Sequence, residues 1–168
     1  QIVVAGALIW LTSIGCSSVY YGAMNKFGYE KRDILVDRVK DARDDQQQAK
    51  EQFKTTLEKF QALTNFKGGE LEATYKTLNS EYERCESKAA DVSKRIKSVE
   101  SVAGDMFAEW KSELSQYQNA ELRRSSEQKL NDTKARYEQL IAAMHKSEST
   151  MKPVLVAFHD QVLFLKHN

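Results

Sequence analysis

From Leu71 to Trp110, apolar side chains recur at alternating intervals of four and three residues: Leu71, Tyr75, Leu78, Tyr82, Cys85, Ala89, Val92, Ile96, Val99, Ala103, Met106 and Trp110. A mean period of about 3.5 residues keeps one narrow stripe of an α-helix turned toward neighbouring helices and winds them into a left-handed supercoil. A strand cannot use this spacing, because its side chains change face at every residue. At the next step the strict position is Glu113, and Leu114 beside it takes over. This run demands one long helix and other helices to cover it.

The rest of the chain supplies them. Leu35, Val39, Ala42, Gln46, Ala49, Phe53, Thr56, Phe60 and Leu63 repeat the pattern, with Leu57 beside Thr56. Upstream, Tyr20, Met24, Phe27, Lys31 and Ile34 continue it one residue out of phase, so the first helix is expected to begin close to Cys16. The third stripe is Thr133, Tyr137, Leu140, Met144, Ser147, Met151, Val154 and Phe158, resuming at Val162 and Leu165. Pro153 lies within it, and a stripe that stays in phase predicts one helix kinked there, although Ser147, Ser149 and Thr150 are poor helix formers and leave a break open.

Two punctuation points separate the segments. Asn65-Phe66-Lys67-Gly68-Gly69 ends the first helix and turns the chain, and Asn119 is placed to cap the third. Helices are therefore expected over about residues 18–64, 71–117 and 121–168. Equal lengths suit an all-α, elongated up-down-up three-helix antiparallel coiled-coil bundle. Seven Gly and one Pro in 168 residues agree with a nearly all-helical single domain.

Residues 2–11, IVVAGALIWL, are apolar and uncharged, too short for a membrane-spanning helix of roughly 20 residues but the length of a signal-peptide core. Residue 1 is Gln and no charged region precedes the run, so the chain is expected to begin inside its gene product. Ser13-Ile14-Gly15-Cys16 resembles the lipobox of bacterial lipoproteins, with Ser13 where that motif usually has Leu, Val or Ile. The resemblance implies a signal segment over 1–15, a mature domain over 16–168 and a lipid on Cys16. Ser17, in place of the Asp that favours inner-membrane retention in such lipoproteins, implies the outer membrane and a periplasmic location. An uncleaved membrane anchor is the other reading of the segment.

Charge and motif content exclude several function classes. With 25 basic and 24 acidic side chains, the net charge of +1 leaves no basic excess for nucleic acid. Neither Lys111-Ser112 nor Gly68-Gly69 belongs to a phosphate-binding loop. The residues three before His145, His159 and His167 are Ala142, Val156 and Phe164, so the Glu-x-x-His pattern of di-iron bundles is missing. His145 and Glu148, one helical turn apart, are read as a surface contact. With Cys16 lipidated, Cys85 has no internal disulfide partner and is expected to pack as a small hydrophobe. No catalytic, cofactor or metal site is expected.

FGYEKRDILVDRVKDARDDQQQAKEQF and KPVLVAFHDQVLFLKHN resemble the proteobacterial, lipoprotein-like family of domain of unknown function twenty-nine fifty-nine, over essentially the whole mature chain. The resemblance implies a helical envelope protein and transfers no activity.

A helix of about 47 residues rises about 70 Å at 1.5 Å per residue, so an anchored bundle would reach far from the membrane. In up-down-up order Tyr20, Tyr21, Phe27, Trp110 and Tyr117 gather at the near end, as interfacial aromatics or as core packing for Trp110. Arg123-Arg124, flanked by Glu121 and Glu127, reads as a solvated face. At the far end Leu155, Val156, Leu163 and Phe164 add apolar surface beyond the core stripe, beside Phe66 in the turn. Residues following Asn168, the turn itself, self-association or another envelope protein are the candidate covers. The expectation is a non-enzymatic envelope lipoprotein acting as a structural or adaptor module through its membrane-distal tip. The alternative is an uncleaved membrane-anchored or soluble coiled-coil protein in nucleotide- or nucleic-acid-linked processes.

Overall fold

A computed structural model describes residues 31–64 and 71–167. Cys16 and its lipobox-like approach, Tyr20, Tyr21, Phe27 and the turn residue Phe66 lie outside the described residues. Among the described residues four helices follow one another: α1 Lys31–Thr64, α2 Leu71–Glu113, α3 Ala120–Ser149 and α4 Met151–His167, with a 3-10 turn at Leu114–Gln116. Among the described residues there is no strand. Thr150 alone separates α3 from α4, and the two together form a third arm.

The α2 stripe is the spine of the core. Leu78, Cys85, Val92, Ile96, Val99, Ala103 and Met106 are all buried, and Leu114 is buried just past Glu113. Two clusters surround them: Val92, Ile96 and Val99 with Ala42, Ala49 and Met144, and Leu78 and Cys85 with Phe60, Phe158 and Val162. Fully burying a Leu, Ile or Val side chain contributes roughly 1.5–3 kcal/mol, so this stripe dominates the stability. Ala42 and Ala49 are completely buried, and their small side chains let α1 lie close along α2.

Cross-helix contacts give the order of the helices. On α1 the numbers rise as those on α2 fall: Lys31 pairs with Glu109 at 2.8 Å, Asp45 with Arg95 at 2.8 Å and Lys59 with Glu81 at 2.5 Å. The third arm follows α2 in the same inverse order, through Trp110 Nε1 donating to Ser126 Oγ at 2.9 Å, Glu100 on His145 at 2.8 Å and Tyr82 against His159 at 5.4 Å between ring centroids. Between α1 and the third arm the numbers rise together, from Gln46 and Met144 to the stacked rings of Phe60 and Phe158.

Asn119 caps α3 as its position predicts: Oδ1 accepts from the backbone N–H of Glu121 at 2.9 Å and of Leu122 at 3.1 Å. Such a cap is worth about 1 kcal/mol. Near Pro153 the structure differs from a helix carrying a proline in its interior. The interruption falls at Thr150, whose N–H turns back to the Ser147 carbonyl at 3.2 Å. Restarting at Met151 places Pro153 in the first turn of α4, where an N–H has no intrahelical partner to lose.

The third arm also takes a different phase at alternate positions. Ile141, Glu148 and Leu155 turn inward where Leu140, Ser147 and Val154 were expected, while Tyr137, Met144, Met151 and Phe158 keep their places. Inward residues then run Met144, Glu148, Met151, Leu155, Phe158, Val162 and Leu165, a four-three alternation across the break. This register leaves Leu140, Ser147 and Val154 on the exposed flank. The physical gain is that branched Ile141 and Leu155 reach the core at the cost of turning Glu148 inward.

Candidate functional site

Glu81 is the carboxylate placed deepest among the described residues, 3% exposed beside Leu78 and Cys85. Gln52 Nε2 donates to its Oε2 at 2.9 Å, Lys59 Nζ to its Oε1 at 2.5 Å and Arg84 to the same Oε1 at 3.0 Å. Burial pushes the carboxyl upward, but the Lys59 and Gln52 hydrogen bonds and the charges of Lys59 and Arg84 hold it below the usual Glu value. One turn away, Thr56 Oγ1 accepts from both Gln52 and the Cys85 thiol at 3.1 Å. Burial and the Glu81 charge raise the Cys85 thiol against that hydrogen bond, which keeps it protonated and disfavours a thiolate nucleophile. This network fixes the register of α1 on α2, because a one-turn slip would strand Glu81 without its donors.

Higher on the bundle, His145 lies between two carboxylates, Nε2 at 2.8 Å from Glu100 and Nδ1 at 3.1 Å from Glu148. Both ring nitrogens donate only in the imidazolium, so the hydrogen bonds to Glu100 and then Glu148 raise the His145 pKa above 6.5 despite some desolvation. Burial works against the Glu148 charge, yet hydrogen bonds from Ser93 and His145 lower its pKa. The stabilisation from His145 is therefore present below pH 6.5 and is lost as pH rises through its raised folded value. An NMR titration of the native protein should give a His145 midpoint above 6.5, moved down by Glu100→Gln. A native midpoint at or below 6.5 would contradict this geometry. Among the described residues no group of three or more His, Cys, Asp or Glu is arranged to hold a metal.

At the end of the bundle that carries the last turn of α1 and the first of α2, Leu63, Tyr75 and Leu165 pack round Phe60, Leu78, Phe158 and Val162. The four distal residues singled out in the sequence separate here. Leu155 packs half-buried against this cluster, correcting its assignment to the outer surface. Val156 is 53% exposed, Phe164 62%, and Leu163 is exposed as well. At about 100° per residue Val156 and Leu163 share one flank of α4, with Phe164 further round toward the back.

A second apolar surface was not anticipated. Between α1 and the α3–α4 junction runs a furrow of about 880 Å³, with Phe53, Met151 and Phe158 in its floor and Leu57 and Val154 on its rims. It exists because α1 and the third arm both pack on α2, while they meet each other mainly through side chains such as Phe53 and Phe60 on Phe158. Thr56 takes the inward position and leaves Leu57 beside it 48% exposed. That apolar neighbour of a polar stripe position was the available signal. Glu81 had none, since two of its three donors, Gln52 and Lys59, come from another helix.

Seam, polar network and open apolar surfaces together define a helical bundle whose inward faces hold its own helices together. The chain belongs to the family described as protein of unknown function (DUF2959), whose model matches residues 20–168. No curated protein and no solved structure matches it. No helix among the described residues is long and apolar enough to cross a membrane.

Proposed function

We propose that the protein is a non-enzymatic, lipid-anchored adaptor of the bacterial envelope, an up-down-up antiparallel three-helix rod whose third arm bends at the Thr150–Pro153 junction. A lipid on Cys16 would hold the Lys31 end of α1 toward the outer membrane, on its periplasmic side. The far end, with Val156, Leu163 and Phe164, then presents apolar surface to another envelope protein. The observation that carries this reading is the exposure of Val156, Leu163 and Phe164 at the end where the inward faces are already filled. Apolar side chains grouped outside a complete core support a binding surface. Phe66, which lies outside the described residues, is assigned to the same surface from the sequence alone.

The test is crosslinking in cells that express the full-length protein. Replacing Val156 and Leu163 with Ser should leave helicity unchanged and the melting temperature nearly so, since both are exposed. The crosslinked species formed by the native protein should disappear. A folded double variant that retains every crosslink would place the partner elsewhere, and a native protein that forms none would contradict the adaptor role.

A further inference from the structure

The furrow between α1 and the third arm is separate from the distal end, and its occupant can be argued from its walls. On α1 the wall is Arg43, Gln47, Lys50, Lys54 and Leu57, spaced four, three, four and three residues apart, which makes it one continuous stripe beside the core stripe. From Arg43 to Leu57 it runs about 21 Å, or about four helical turns. Facing it on the third arm are Ser147, Thr150 and Val154, again at helical spacing. Two roughly parallel helical flanks over an apolar floor form a groove into which the ridge of a further helix can pack.

Charge narrows the choice. Arg43, Lys50 and Lys54 line the furrow against the single acidic side chain Asp44. Lys54 reaches Glu58 only at 3.9 Å and Arg43 reaches Asp44 only at 4.0 Å, both pairs largely solvent-exposed, so these cations remain available to a partner. A second copy of this chain fits poorly. The exposed apolar flank of α4 around Val156 and Leu163 carries Lys152 and Lys166 against Asp160, and would bring positive charge to a positive rim.

We propose that this furrow receives an amphipathic helix of a partner protein, with its apolar stripe on Phe53, Leu57, Met151 and Val154 and its flanking Asp or Glu residues against Arg43, Lys50 and Lys54. The site is independent of the lipid anchor and of the distal surface, so failure of one reading leaves the other standing.

The test uses two synthetic amphipathic peptides about 15 residues long, which as helices match the furrow's length. They share one Leu stripe, and one is flanked by Glu, the other by Lys. Fluorescence anisotropy against the full-length protein should show the Glu-flanked peptide binding at least about tenfold more tightly, with the difference shrinking as salt rises. Leu57→Asp should weaken that binding by at least about tenfold, since it puts a charge in the apolar contact. Lys50→Glu with Lys54→Glu, both on exposed positions and so compatible with folding, should reverse the preference between the peptides. Binding by neither peptide, equal binding of both, or a preference that survives the charge reversal would overturn the proposal. So would a sedimentation experiment showing a dimer that Leu57→Asp converts to monomer, which would assign the furrow to a second copy.

Discussion

Ile96→Asp is expected to destabilise the protein by at least about 3 kcal/mol, the largest effect of any single substitution considered for this chain. Ile96 is enclosed by Val92, Val99, Ala42, Ala49 and Met144, none of whose side chains carries a hydrogen-bond donor. The variant both empties apolar volume and buries an unpaired charge. For a chain of this size the loss corresponds to a melting temperature lower by about 6–12 °C, read by circular dichroism. Ile96→Val, which removes one methyl group, should cost only about 1 kcal/mol. Equal melting temperatures for Ile96→Asp and the native protein would mean that α2 does not turn this face to α1 and α3.

Glu81→Gln is expected to be the second most damaging change, about 1–3 kcal/mol at neutral pH, because an amide in the same place no longer pairs with Lys59 and Arg84. The pH dependence is the sharper signature. Glu81 has a folded pKa below its unfolded value near 4.5, so its contribution is complete above that value and is lost as pH falls through the folded one. The stability gap between native protein and Glu81→Gln should therefore stay constant from neutral pH down to about pH 5 and close below it. Denaturant titrations at a series of pH values measure this directly. A gap that persists unchanged into strong acid would show that packing, not charge, distinguishes the two side chains.

The helical seam was legible in the sequence because it is a local periodicity. Leu78, Val92, Ile96 and Val99 sit at fixed intervals on one helix, and nothing distant is needed to see that they share a face. The Asn119 cap was legible for the same reason, since the cap and the amides it serves lie within three residues. What could not be read was whatever depends on two helices at once. Whether Leu140 or Ile141, and Val154 or Leu155, faces inward depends on how the third arm rolls against α2, and both choices preserve the same mean period. Glu81 and its donors span α1 and α2, so its burial has no sequence signature beyond its place beside Leu78 and Cys85. The furrow follows from that same roll: Leu57 and Val154 are ordinary stripe neighbours until α1 and the third arm leave space between them. Pro153 was visible, but its resolution three residues upstream at Thr150 reflects where a helix can restart most cheaply.

Under the proposed function, a lipid on Cys16 would fix the compartment and decide which end of the bundle faces outward. Labelling cells with a radioactive or clickable fatty acid tests it most directly, comparing the native protein with Cys16→Ala in the complete gene product. Label in the native protein, absent from Cys16→Ala, together with recovery of the native protein in the outer-membrane fraction, is the predicted result. Equal labelling of the two proteins, or a native protein that takes up no label and partitions with the cytosol, would contradict it.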